Sequence, residues 1–122
     1  MTLRATIWHY PRCSKSRKTL AILRNEGVDV DVRHYRDDPP DRATLVDVID
    51  RLAIAPAELV RTGDDRFAQL DVDPSSFDDD DWIDLMCDHP ELIERPVVLT
   101  DSGAAIGRPP ESVLQILTAD AD

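Results

Sequence analysis

The chain has 122 residues, 42% hydrophobic and 32% charged, with a formal net charge of −11 at pH 7. That length fits one compact domain with a single core, no stretch approaches the roughly 18–20 apolar residues of a membrane span, and the acidic balance argues against a nucleic-acid partner. The first ten residues, MTLRATIWHY, lack a signal-peptide apolar run, so a cytoplasmic protein is expected. Cys13 and Cys87 have neither CxxC nor Cys/His spacing, which points away from a disulfide framework and from a metal site. The acidity is uneven. Residues 1–36 hold eight Lys/Arg against three acids, a local basic patch able to attract a small anion.

In chain order, Ala5–Tyr10 (ATIWHY) reads as a strand stopped by Pro11. A helix follows from Ser14, with Gly27 where a helix C-terminal cap belongs. Val28–Tyr35 (VDVDVRHY) alternates with period two, a half-buried strand. Strand, helix and strand in about 30 residues make a parallel βαβ unit. Asp41 is a good N-cap for a helix whose inward face is Leu45, Val48, Ile49 and Leu52. Residues 56–76 read as short helical turns and loops. The stretch FDDDDWIDLMCDHP places acids in the first turn of a further helix and Pro90 after its end, with Trp82, Leu85 and Met86 as its apolar stripe. RPVVLT and AAIG, joined by Asp101-Ser102-Gly103, form a β-hairpin, and PPESVLQIL a proline-started helix. Residues 118–122 (TADAD) are expected to be a frayed acidic tail.

The order is β-α-β, a helical insertion over about 41–92, then β-β-α. It predicts a single α/β domain over 1–122, thioredoxin-like, with a mixed four-stranded sheet flanked by helices. Cys13 falls at the turn from the first strand into the first helix. A thiol there faces unpaired N–H groups and the positive end of the helix dipole, and Lys15 and Arg17 add positive charge. Such settings lower a thiol pKa to roughly 3.5–7.5. The competing reading is an inert buried thiol, which fits polar, basic neighbours poorly.

His9, Cys13 and Arg17 make H-x3-C-x3-R within YPRCSKSRKTL, accompanied by LVRTGD around Arg61, HPELIERPVVL around Arg95 and IGRPPESVL around Arg108. Together, over about residues 5–117, the chain resembles the glutaredoxin-linked arsenate reductase family. The resemblance implies a Cys13 nucleophile attacking arsenate, with Arg61, Arg95 and Arg108 cradling the oxyanion. It also implies no bound cofactor. A small thiol such as glutathione would act as cosubstrate and leave a mixed disulfide on Cys13, which a glutaredoxin-like protein resolves. Planar guanidinium groups suit a tetrahedral oxyanion through paired, charge-assisted hydrogen bonds, although single surface arginines are the ordinary fate of that residue type.

For His9 two readings stand level: a role in stabilising the Cys13 thiolate or orienting the loop, and a packed or hydrogen-bonded structural residue. Ser16 either bonds the Cys13 sulfur or satisfies the helix start. Pro96 occupies the position where thioredoxin-like folds place a cis-proline. Cys87 reads as core packing, and His34 and His89 as structural. The family commonly has asparagine where this chain has Tyr10. Two other classes compete. A redox-sensing transcriptional regulator that binds RNA polymerase would use a CxxC pair, but the chain has Cys13-Ser14-Lys15-Ser16. A general monothiol disulfide reductase would not need the three arginines. A phosphatase-like C-x5-R loop is absent, since position 19 is Thr.

Overall fold

The computed structural model describes residues 3–117; the tail expected at 118–122 lies outside them. The chain falls into two compact units, residues 3–38 with 95–117, and Pro39–Glu94.

The first unit is built on the sheet. Strand β1, Arg4–Trp8, is shorter than the expected Ala5–Tyr10. His9 N–H still bonds Arg33 O at 2.8 Å, but Tyr10 O instead accepts the Cys13 N–H at 2.9 Å. That turn, with Pro11 lacking an N–H, takes the chain off the ladder. Helix α1, Ser14–Asn25, buries Ser16, Thr19, Leu20 and Leu23, one stripe at helical spacing. It closes as expected at Gly27, whose φ of +74° suits glycine. Strand β2, Asp29–Arg33, then runs parallel to β1.

Strands β3, Val97–Thr100, and β4, Gly103–Ile106, form the hairpin, and β3 pairs antiparallel with β1. Gly103 pairs with Thr100 rather than lying in the turn, which leaves a two-residue loop, Asp101-Ser102. The strand order is β2-β1-β3-β4. The closing segment, Pro110–Ile116, is a 3-10 helix and not the expected α-helix. Its inward apolar residues Pro110, Val113 and Ile116 recur every three positions, which is the 3-10 repeat, while Leu114 is exposed. Val113 joins Ala5, Ile7, Leu20, Leu23, Val28 and Val98 in one core, with Ile116 packed against it. The mixed four-stranded sheet and its helical elements are the expected thioredoxin-like arrangement.

In the Pro39–Glu94 unit, helix α2 spans Arg42–Leu52, and its Asp41 cap accepts the Thr44 N–H at 2.8 Å. Leu45, Val48 and Ile49 are buried, whereas Leu52 is only half-buried. A 3-10 turn (Pro56–Leu59), the short helix α3 (Asp65–Gln69) and a second 3-10 turn (Pro74–Ser76) precede helix α4, Asp79–Asp88. Asp78 and Asp81 cap α4 reciprocally. Its inward Trp82 packs between Phe67 and Phe77, with centroids at 6.0 and 4.8 Å. No helix of the described residues is long and apolar enough to cross a membrane.

Candidate active site

Cys13 is the N-cap residue of α1, with extended backbone, and it is partly buried. Burial alone would push its thiol pKa up. The opposing contributions win: the Ser16 and Lys15 N–H groups at the helix start and the Arg95 side chain favour the thiolate, and the Arg108 charge lies nearby, so the pKa falls below the ordinary thiol value. Arg108 Nη2 stands 3.7 Å from Sγ, while its Nε donates to Arg95 O at 2.8 Å. One arginine therefore touches the sulfur and braces the backbone of the other.

The Arg95–Pro96 bond is cis, as expected for Pro96, and Arg108–Pro109 is also cis, which was not expected. Between β4 and Arg108 lies Gly107, whose N–H donates to Pro96 O at 2.8 Å. A Cβ on Gly107 would meet Thr19 Oγ1 at 2.5 Å and Pro96 Cγ at 2.7 Å. Only a residue without a side chain lets this strand end lie against α1. Thr19 is fully buried and donates to Lys15 O at 2.8 Å.

Below the sulfur, Ser16 is fully buried and His9 nearly so. Ser16 Oγ lies 2.6 Å from His9 Nδ1 and 3.1 Å from the Tyr10 N. Burial, then His34, Arg24 and Arg17, lowers the His9 pKa and keeps the ring neutral. The arrangement that satisfies both groups has the hydroxyl accepting the Tyr10 N–H and donating to Nδ1. The Ser16 side chain thus braces the loop, while its backbone N–H serves the sulfur. Arg17 Nη1 donates to Pro11 O at 2.8 Å, also across the loop.

Arg61 belongs to the Pro39–Glu94 unit. There Arg61 N–H bonds Leu92 O and Glu94 N–H bonds Leu59 O, which sets the two side chains together. Its guanidinium binds Glu94 at 2.6 Å and Asp64 at 3.5 Å. Cys87 is partly buried on α4, and burial pushes its thiol up. His34 is exposed with its ring 6.0 Å from that of His9, and His89 lies 3.5 Å from Glu91. No group of three or more His, Cys, Asp or Glu among the described residues could hold a metal ion.

A single low-pKa cysteine at the first strand-to-helix turn, flanked by two arginines, defines a one-cysteine thiol site on a thioredoxin-like sheet. The chain belongs to the ArsC family, whose model matches residues 8–116. It is 44% identical to the uncharacterized protein YfgD of Escherichia coli, over 96% of this chain and 99% of that one. It is 41% identical to an arsenate reductase of Neisseria meningitidis, over 91% and 96% of the two chains. Among solved structures it resembles the arsenate reductase from Vibrio cholerae, with a TM-score of 0.90 and 36% identity, over 95% of this chain and 99% of that one.

Proposed function

We propose that the protein is an arsenate reductase, converting arsenate to arsenite with Cys13 as nucleophile. The observation that carries this reading is the Cys13 sulfur held with Arg95 and Arg108 beside it. An anion approaching a thiolate meets repulsion, and two guanidinium groups at the sulfur offset it with charge-assisted donors.

In the first step the thiolate attacks arsenic, a sulfur–arsenic bond forms, and one protonated oxygen leaves as water. A small thiol, glutathione or an equivalent, then attacks the Cys13 sulfur. The new S–S bond forms as the As–S bond breaks, its electron pair stays on arsenic, and As(V) leaves as arsenite after taking a proton. A glutaredoxin-like protein thiol exchanges with the mixed disulfide and returns Cys13 as thiolate. A reduced thiol pool, as the cytoplasm supplies, keeps the cycle turning. In this reading His9, Ser16 and Arg17 hold the loop, and Arg95 and Arg108 hold the oxyanion.

The test is arsenite formation by purified protein with arsenate, glutathione and glutaredoxin. Cys13→Ser loses turnover while keeping its fold, because a neutral hydroxyl is a poor nucleophile and cannot form the disulfide. Arg95→Ala and Arg108→Ala raise KM for arsenate about tenfold or more, the worth of one charge-assisted bond. Arg95→Lys recovers part of the loss, since an ammonium lacks the planar fork. Normal turnover by Cys13→Ser defeats the mechanism.

A further inference from the structure

Tyr10 is half-buried and its backbone is pinned on both sides, its N–H to Ser16 Oγ at 3.1 Å and its C=O by the Cys13 N–H at 2.9 Å. The start of its side chain is therefore fixed relative to the sulfur. Two guanidinium groups lie over its ring, Arg36 with Cζ 4.3 Å from the centroid and Arg95 with Cζ 4.9 Å from it. Arg95 also donates to the Cys13 sulfur. A guanidinium attracted to a ring through its π face leaves its in-plane N–H edge available to acceptors. Arg36 is exposed and Arg95 half-buried, and a cation gains more from a ring where water is scarce.

We propose that Tyr10 is a positioning residue, whose ring holds the Arg95 guanidinium so that its N–H edge faces the Cys13 sulfur and the bound oxyanion. The oxyanion half rests on the arsenate reading; the sulfur half does not. Without the ring face, Arg95 has more rotamers open to it and spends less time on the sulfur.

The experiment compares Tyr10→Phe, Tyr10→Leu and a series of progressively fluorinated phenylalanines at position 10, which weaken the ring's negative face at nearly constant size. Two quantities are read: the pH midpoint of Cys13 alkylation by iodoacetamide, and KM and kcat for arsenate. Tyr10→Phe keeps both at wild-type values. Tyr10→Leu, and fluorination in a graded way, move the midpoint up and raise KM about two- to fivefold, the size of a cation–π contact. In an Arg95→Ala background the same changes have no further effect. Wild-type values in the leucine or fully fluorinated variant overturn the proposal, as does a phenylalanine variant that behaves like leucine, or an effect that survives loss of Arg95. If leucine prevents folding, the fluorinated series decides. If the wild-type protein does not reduce arsenate, the functional reading fails, and the alkylation midpoints still decide the role of Tyr10.

Discussion

At Cys13, burial and hydrogen bonding pull the thiol in opposite directions, and the donors prevail. Cys87 has burial and three neighbouring aspartates, Asp84, Asp88 and Asp41, against the single charge of Arg42, so its pKa rises. Iodoacetamide reacts with thiolate, so its rate at each cysteine climbs with pH through that cysteine's pKa. Mass spectrometry of samples labelled across pH should place the Cys13 midpoint below that of Cys87, with Cys13 the faster site at neutral pH. His9 gives a second pH effect. Its folded pKa is depressed, so the unfolded chain binds the proton first as pH falls below the ordinary imidazole value of about 6.5. The stability held above that pH is therefore lost on the way down through the folded pKa. Urea midpoints should fall as the pH drops below about 6.5, and His9→Asn should flatten that slope. Glu91, whose pKa is also depressed, acts at more acid pH. Cys13, Arg95 and Arg108 were legible together only through the family resemblance their motifs carry, which also adds Arg61, a residue held by Glu94 and Asp64 in the other unit. The stacking of Tyr10 with Arg36 and Arg95 was not legible, since residues so far apart in the chain meet only through the folded topology.

Among the elements, the connection from β4 to the last helical segment does most to aim Arg108. Gly107→Ala places a methyl against Thr19 and Pro96, and overpacking of this kind costs about 1–3 kcal/mol. A lower melting temperature and a raised arsenate KM are expected together, because the displaced residue adjoins Arg108. Unchanged stability would mean the contact relaxes without cost. The βαβ start was legible from the period-two alternation of residues 28–35 and the glycine that closes α1. The end of β1 was misplaced by two residues because the Tyr10–Cys13 turn competes with the ladder for the same backbone groups. The 3-10 form of Pro110–Ile116 was misread as α because a short apolar repeat serves both helices until tertiary packing selects the three-residue spacing.

Across the whole molecule, charge follows the division into units. Pro39–Glu94 contains sixteen acids and four arginines, while the remaining sequence has ten bases and nine acids. With twelve more acids than bases in the first, self-repulsion is expected to outweigh its ion pairs, including those of Arg42 with Asp80 and Asp84. Raising salt from about 0.01 to about 0.15 M shortens the screening length from about 30 to about 8 Å. The melting temperature should rise over that range; a fall would show that ion pairs dominate. Composition separates a basic stretch at 1–36 from an acidic remainder, yet where one compact unit ends depends on contacts that composition does not encode. The strand order leaves β2 on the rim of the sheet. Along it Asp29 and Asp31 are exposed at alternate positions. A foreign strand seeking to extend the ladder would bring its own backbone up beside two carboxylates, so the border that could seed aggregation guards itself.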